Sequence, residues 1–169
     1  PLVAGVEQRE IVICPPFTNL AAAVAAAQGS RIQIGAQNLY WKKEGAFTGE
    51  IAPGMIKAVG CSHVIIGHSE RRQYFGETDQ TVNRRLRAAL AAGLVPIVCI
   101  GERLEERESG ITDTVLHTQL DGGCAALTAE RPSFVPSSAI RPSVIAACVA
   151  SDHTGARRSG CQCDRRANA

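Results

Sequence analysis

The chain has 169 residues, of which 45% are hydrophobic and 20% charged, so length and composition predict one folded domain and exclude a disordered or fibrous protein. No apolar run approaches the roughly 20 residues that span a bilayer, and residues 1–10 lack the pattern of a signal peptide, which argues against a membrane or exported protein. The net charge of +2 combines a mildly acidic body with a basic segment after residue 130, too weak a charge to predict nucleic-acid binding.

The cysteines indicate the cellular compartment. Their number, seven, does not fit the even-numbered pattern of a disulfide framework. Cys14 and Cys99 lie inside apolar, strand-like segments, as small buried hydrophobic residues do. This usage is typical of a reducing compartment, and we therefore expect a cytoplasmic protein.

Short apolar segments rich in β-branched residues recur along the first part of the chain. They predict strands at Ile11–Cys14, Ile32–Gly35, His63–Gly67 and Pro96–Gly101. Helical patterns lie between these segments, at Thr18–Gln28, Glu50–Val59 and Glu77–Ala92. Thr78 with Asp79 predicts the start of the last helix, and Gly93 its end. Strands and helices therefore alternate.

Strands that are apolar on both sides and separated by helices are typical of a parallel sheet covered by helices. Two architectures satisfy this α/β pattern, an open doubly wound sheet and a (β/α)₈ barrel. No G-x-G-x-x-G motif follows any strand, so the dinucleotide-binding version of the open sheet has no support.

The sequence changes character near residue 130, which predicts a partial barrel domain at 1–130 and a divergent segment at 131–169. Val144–Ala150 predicts one short strand or helix, and the residues beyond it show no hydrophobic period and predict coil. His153, Cys161 and Cys163 do not form a recognised zinc-binding pattern, so we predict no metal site.

His68 directly follows the third predicted strand and therefore lies at the carboxyl end of the sheet, where sites form in parallel α/β folds. If a helix begins at Ser69, its positive end disfavours a charged imidazole, so His68 would stay neutral and donate a hydrogen bond. The alternative is that His68 only caps that helix. His63 and His117 have no evident partner, and we interpret both as structural.

Charged residues surround these strand ends. Glu70, Arg71 and Arg72 predict a helix start with internal ion pairs in preference to an anion clamp. Glu102 leaves the fourth strand, and Glu105–Glu108 is typical of a solvated helix face.

The segment 39–50, LYWKKEGAFTGE, is longer than a simple connection requires. Exposure of Tyr40, Trp41 and Phe47 would be unfavourable in an isolated loop, so the segment predicts a binding surface rather than a folded surface loop.

Four stretches together resemble the triosephosphate isomerase family over about residues 9–130. They are GAQN at 35–38, EGAFTGEIAPGM at 44–55, VIIGHSERRQYFGETD at 64–79 and GLVPIVCIGERLEERESG at 93–110. The resemblance implies a (β/α)₈ barrel of which about strands 2–5 are recognisable. It also implies a glycolytic and gluconeogenic enzyme that interconverts dihydroxyacetone phosphate and glyceraldehyde 3-phosphate through an enediolate, without cofactor or metal.

The resemblance implies roles for individual residues as well. His68 matches the electrophile that polarises the substrate carbonyl, with Ser69 and Glu70 as supporting residues. Members of the family form tight homodimers, so the resemblance implies a homodimer. The residues that match the family interface are Phe47, Thr48, Gly49, Glu50 and Arg71. Thr48 matches the loop tip that inserts beside the active site of the partner subunit.

Other family motifs are not found in this sequence. They are the Asn-x-Lys pair of the first strand, the Tyr-Glu-Pro-Val-Trp stretch with the general base, the closing loop and the glycine-rich phosphate grip. The general base is therefore unknown, and we interpret 131–169 as a frameshifted reading of an isomerase gene in preference to a divergent replacement. We expect an isomerase by ancestry that is nearly inactive alone. The alternative is a non-catalytic interaction module that pairs with another isomerase subunit.

Overall fold

Five parallel strands form one sheet in the computed structural model of the chain, which describes residues 10–125, 127 and 145–147. The strands are β1 (Ile11–Ile13), β2 (Ile32–Ala36), β3 (His63–Ile66), β4 (Val95–Ile100) and β5 (Ile145–Ala147). The first four confirm the predicted strands to within a residue or two. The fifth lies inside 144–150, where the sequence left strand and helix open.

Six α-helices accompany the strands within the described residues. They are α1 (Leu20–Ala27), α2 (Pro53–Val59), α3 (Ser69–Tyr74), α4 (Asp79–Ala91), α5 (Leu104–Glu108) and α6 (Thr112–Gly123), with a 3₁₀ turn, Phe17–Asn19, before α1. No sequence pattern predicted α6. No helix in this part of the chain has the length and hydrophobicity needed to cross a membrane.

Local residue chemistry explains where the helices start and stop. The second helix begins at Pro53, not at Glu50 as predicted, because proline has no N–H and suits the first helical position. The predicted ends of α4 are confirmed: Thr78 accepts a hydrogen bond from the Thr81 N–H, and Gly93 follows the helix with φ of +69°.

The order of the strands decides between the two predicted architectures. Each strand pairs with its neighbours in the sequence, from β1 through β5. An open doubly wound sheet instead reverses its strand order at a switch point. Sequential order with helices between parallel strands is the arrangement of a barrel, so the open-sheet alternative is wrong.

The two faces of the sheet have different surroundings. Residues of one face pack with the helices into the core, among them Ile34, Val64, Ile66 and Val98. The alternate residues point to the other face, where Ile65 lies opposite Ile97 and both remain partly exposed. This second face is the one that a closed barrel encloses. The predicted coil after residue 150, including His153, Cys161 and Cys163, lies outside the described residues.

Candidate active site

The carboxyl ends of the strands carry the polar residues that the sequence singled out. Asn38 follows β2, His68 follows β3 and Glu102 follows β4. Because the strands are parallel, these residues lie at the same edge of the sheet. This is the edge at which barrels of this type bind their ligands.

Gly67 makes the turn from β3 into α3. Its φ is +75°, a conformation that residues with a side chain rarely adopt. A Cβ atom there would also lie 3.1 Å from the Cys99 carbonyl oxygen and 3.1 Å from Val82 Cγ2. The Arg72 Nε–H donates to the Gly67 carbonyl at 2.9 Å and fixes the turn. The glycine is therefore required to place His68.

His68 is the N-cap of α3, and its side chain is about one-third exposed. Nδ1 accepts a hydrogen bond from the Glu70 N–H at 3.3 Å, so this nitrogen carries no hydrogen and Nε2 carries it. Capping by Nδ1 and donation by Nε2 use opposite sides of the ring. The two interpretations of His68, helix cap and hydrogen-bond donor, are therefore compatible.

Ser69 and Glu70 open the first turn of α3 next to the histidine. The Glu70 Oε2 atom lies 3.7 Å from His68 Nδ1, and this carboxylate is more than half exposed. Glu70 therefore contacts the ring on its capping side, through both its backbone and its side chain.

Arg71 and Arg72 do not pair with Glu70 within the helix start, so that part of the sequence prediction is wrong. Arg71 pairs with Glu77 in the connection between α3 and α4, and Arg72 Nη1 pairs with Asp79 Oδ1 at 2.6 Å. The reason is that these side chains reach forward to carboxylates just before and at the start of α4, which are better shielded from water than Glu70 is. The two arginines thus hold α3 against the start of α4.

Glu77 and Arg85 belong to the same network and were missed from the sequence. The Glu77 side chain is only 1% exposed, and its Oε1 accepts from Arg71 and lies 3.5 Å from Arg85 Nη2. A charged residue in a helical pattern normally faces water, so burial of these residues was not expected. The one signal in the sequence is the alternation of charge, positive at 71, negative at 77 and positive at 85.

The loop of residues 37–52, here termed the long loop, folds back on itself. The Tyr40 N–H donates to the Ile51 carbonyl at 2.9 Å, and the Glu50 N–H donates to the Phe47 carbonyl at 3.0 Å. The rings of Tyr40 and Trp41 are 4.2 Å apart, and Tyr40 is 4.8 Å from Phe47. Thr48 and Gly49 form its exposed tip.

A cleft of about 210 Å³ separates the long loop from α3. The structure brings together three of the residues matched to the family interface, because Gly49, Glu50 and Arg71 all line this cleft. The Asn38 side chain lines it too, and its Oδ1 atom is buried without a hydrogen-bond partner. The exposed ring of Phe75 lies at its edge, 4.7 Å from the Arg71 guanidinium carbon.

Glu102 is buried at the end of β4 and held by Arg107. The two guanidinium contacts to Oε1 measure 2.6 and 2.8 Å. A hydrogen bond from its own backbone and the Arg107 guanidinium lower the pKa of Glu102 below its usual range. A carboxylate that acts as a general base near neutral pH needs a raised pKa, so Glu102 is unsuited to that role. The solvated helix face predicted at Glu105–Glu108 is confirmed.

Known proteins match most of this chain. The sequence model of the family described as triosephosphate isomerase matches residues 2–146. The triosephosphate isomerase of Solibacter usitatus is 61% identical over 131 residues, which are 78% of this chain and 53% of that protein. The triosephosphate isomerase of Citrifermentans bemidjiense is 59% identical over 128 residues, 76% of this chain and 51% of that protein.

A solved structure of the same family has a similar fold. The crystal structure of triosephosphate isomerase from Bartonella henselae superposes with a TM-score of 0.69 at 44% identity, over 72% of this chain and 52% of that one. The chain spans about half the length of the relatives it matches. The predicted fold class, an incomplete (β/α)₈ barrel, is thereby confirmed, and the family match extends beyond 9–130 at both ends. The chain belongs to the triosephosphate isomerase family.

Proposed function

We propose that this chain carries the electrophile of a triosephosphate isomerase site, which interconverts dihydroxyacetone phosphate and glyceraldehyde 3-phosphate in the cytoplasm. The observation that supports this most directly is the bond from the Glu70 N–H to His68 Nδ1, because it leaves an Nε2–H free to face substrate. A neutral imidazole N–H stabilises the charge that develops on the carbonyl oxygen as the enediolate forms. Ser69 and Glu70 support the ring, and the reaction requires no metal or cofactor.

The chain by itself is proposed to be nearly inactive because the family's Tyr-Glu-Pro-Val-Trp stretch, which carries the general base, is not found in its sequence. Glu102 is occupied by Arg107, and the acidic residues after 130 are Asp152 and Asp164. Loss of a general base lowers a rate by about 10²- to 10⁴-fold.

The test is isomerisation of glyceraldehyde 3-phosphate by the 169-residue chain beside a His68→Gln variant. Both are purified identically from a host strain without its own isomerase, which removes the background. A slow wild-type rate that falls by about 10²-fold in the variant supports the electrophile role, since removal of one such donor has an effect of this order. Equal measurable rates for the two proteins contradict it.

We propose a homodimer as the assembly, formed by the tip of the long loop and the cleft beside α3. Phe47 is 38% exposed and Phe75 65% exposed, so large rings line this surface without cover in the described chain. Burial of such rings is a main source of stability at protein interfaces. The Thr48 hydroxyl of a second copy is a suitable donor for the unpartnered Asn38 Oδ1.

Sedimentation velocity tests the dimer. The wild-type chain should sediment as a dimer, and Thr48→Arg at the loop tip should give monomers because the added charge would be buried. Lys43→Glu, an exposed change elsewhere in the same loop, serves as the matched control. A wild-type chain that stays monomeric at the highest soluble concentration contradicts the proposal.

A second candidate function is the non-catalytic interaction module. The observation in its favour is the apolar second face of the sheet, where Ile65 and Ile97 remain partly exposed among the described residues. A barrel half supplied by another isomerase subunit would cover this face. Co-purification of a stable complex with full-length Solibacter usitatus isomerase, without isomerase activity from the chain itself, would favour this function.

A further inference from the structure

Arg85 is a buried arginine in the apolar stripe of a helix. The residues of α4 that face the core are Val82, Arg85, Leu86 and Ala89, the spacing of one helical face. Arg85 is only 6% exposed. A guanidinium at such a position is retained only where its hydrogen bonds and charge are compensated, so its contacts indicate what it does.

The first contacts of Arg85 reach the long loop. Its Nε–H donates to the Leu39 carbonyl at 3.0 Å. Its guanidinium carbon lies 4.9 Å from the centre of the Trp41 ring, a cation–π distance. The Trp41 ring contacts Tyr40 and the Tyr40 ring contacts Phe47, both in tilted arrangements. A continuous series of contacts therefore runs from the buried face of α4 to the tip of the long loop.

A further contact of Arg85 reaches the connection between α3 and α4, and Nη1 also donates to the Thr81 carbonyl within α4 at 3.4 Å. Nη2 lies 3.5 Å from Glu77 Oε1, the same oxygen that accepts from Arg71. Arg71 lies in the first turn of α3, where its N–H donates to the His68 carbonyl at 2.9 Å. One side chain of α4 is thus connected both to the loop tip and to the helix that begins after His68.

We propose that Arg85 is a positioning residue that fixes the long loop and the start of α3 relative to each other. The planar guanidinium is essential, because a single side chain must donate to Leu39 and Glu77 while its central carbon lies over the Trp41 ring. Lysine keeps the charge but has neither the fork of donors nor the plane. The consequence for dimerisation rests on the proposed function, whereas the positioning itself does not.

Trp41 makes the proposal measurable because it is the only tryptophan in the chain. The variants Arg85→Lys and Arg85→Met are compared with Arg84→Gln in the full-length protein. Arg84 is the matched control, since it is the adjacent residue and its guanidinium carbon lies 5.7 Å from the same ring, but on the exposed side of α4. Acrylamide quenching of Trp41 should rise in both Arg85 variants and remain near wild type in Arg84→Gln.

Amide hydrogen exchange gives the second measurement. Exchange should accelerate about tenfold or more over residues 38–52 and 69–77 in Arg85→Lys, as expected for loss of hydrogen bonds from a charged donor. Exchange in β3 and β4 should stay unchanged. Self-association, if the proposed dimer forms, should weaken in Arg85→Lys and not in Arg84→Gln. Neither acrylamide quenching nor hydrogen exchange requires substrate or a dimer, so failure of the proposed function would not affect these two measurements.

Two results would overturn the proposal. If Arg85→Lys matches wild type in quenching and exchange, charge alone is sufficient and the guanidinium does not position the loop. If exchange rises evenly across the sheet, or if both variants unfold, Arg85 stabilises the whole domain without a specific effect on the loop and α3. Arg85→Lys is the decisive variant where Arg85→Met fails to fold.

Discussion

Polar side chains at the two ends of the parallel sheet differ in how completely they are hydrogen-bonded. At the amino ends, the polar side chains pair with one another. Ser62 Oγ lies 2.8 Å from His63 Nδ1 and 2.9 Å from Gln33 Oε1, and His63 Nε2 lies 3.3 Å from Glu10 Oε1. Every side chain of this group therefore has a polar partner.

At the carboxyl ends, pairing is incomplete. Within the described residues, the buried side-chain atoms without a hydrogen-bond partner are Asn38 Oδ1, Arg72 Nη2 and Glu77 Oε2. All three belong to the connections that follow β2 and β3. Buried polar atoms without a partner are unfavourable for stability, so each of them requires a specific explanation. The comparison indicates that the amino end stabilises the sheet, whereas the carboxyl end keeps polar atoms that a ligand or a partner can bind.

The largest expected effect comes from removal of the buried carboxylate at the carboxyl end. Glu77→Leu leaves Arg71 and Arg85 without their common partner, which should lower the free energy of unfolding by about 3–5 kcal/mol. Urea denaturation measures the change. Glu10→Gln is the matched change at the amino end, where the carboxylate is 48% exposed, and should lower stability by less than about 1 kcal/mol. Equal losses would remove the distinction between the two ends.

The turn at Gly67 should give an intermediate effect. Gly67→Ala requires a left-handed conformation, which is unfavourable by about 1–2 kcal/mol, and overpacks the site, which adds about 1–3 kcal/mol. Gly93→Ala is the control because its φ is +69° but nothing lies within 4 Å of the added carbon. Thermal unfolding of both variants separates the two contributions. A Gly93→Ala loss as large as that of Gly67→Ala would show that crowding at Gly67 is unimportant.

The smallest expected effect is a pH dependence at the amino end. Burial lowers the pKa of His63 below its ordinary value of 6.5, although Glu10 acts in the opposite direction. The unfolded chain therefore binds a proton more readily than the folded one, so stability is complete above about pH 6.5 and declines as the pH falls toward the folded pKa. His63→Gln should flatten this decline in urea titrations between about pH 7 and pH 5. His117→Gln, an exposed histidine, should leave it unchanged.

The sheet could be predicted from the sequence because its signals are local. Runs of β-branched residues mark β1 to β4, and Gly93 marks the end of α4. The α6 helix was missed because its segment, TDTVLHTQLDGG, lacks a strong apolar period and ends in two glycines. The division at residue 130 stays a prediction, and the family match runs across it to residue 146.

The candidate site was predictable only in part. His68 stands out because it follows a strand directly, and the helix that begins after it, from which its donor role was predicted, is present. The roles of Glu77 and Arg85 could not be predicted, because their burial depends on how α3, α4 and the long loop pack together. Such contacts join residues far apart in the sequence, and no local periodicity reports them.

The strand order has a consequence for how the protein is made. Ile11 pairs with Ile32, Gly35 with His63, and His63 with Val95, so each strand joins one that the ribosome released shortly before. The sheet can therefore grow during translation, one strand and helix at a time, without waiting for a distant segment. At every stage the later edge of the growing sheet is covered by the next strand to be synthesised, whereas the outer edge of β1 pairs with no strand in the described part of the chain.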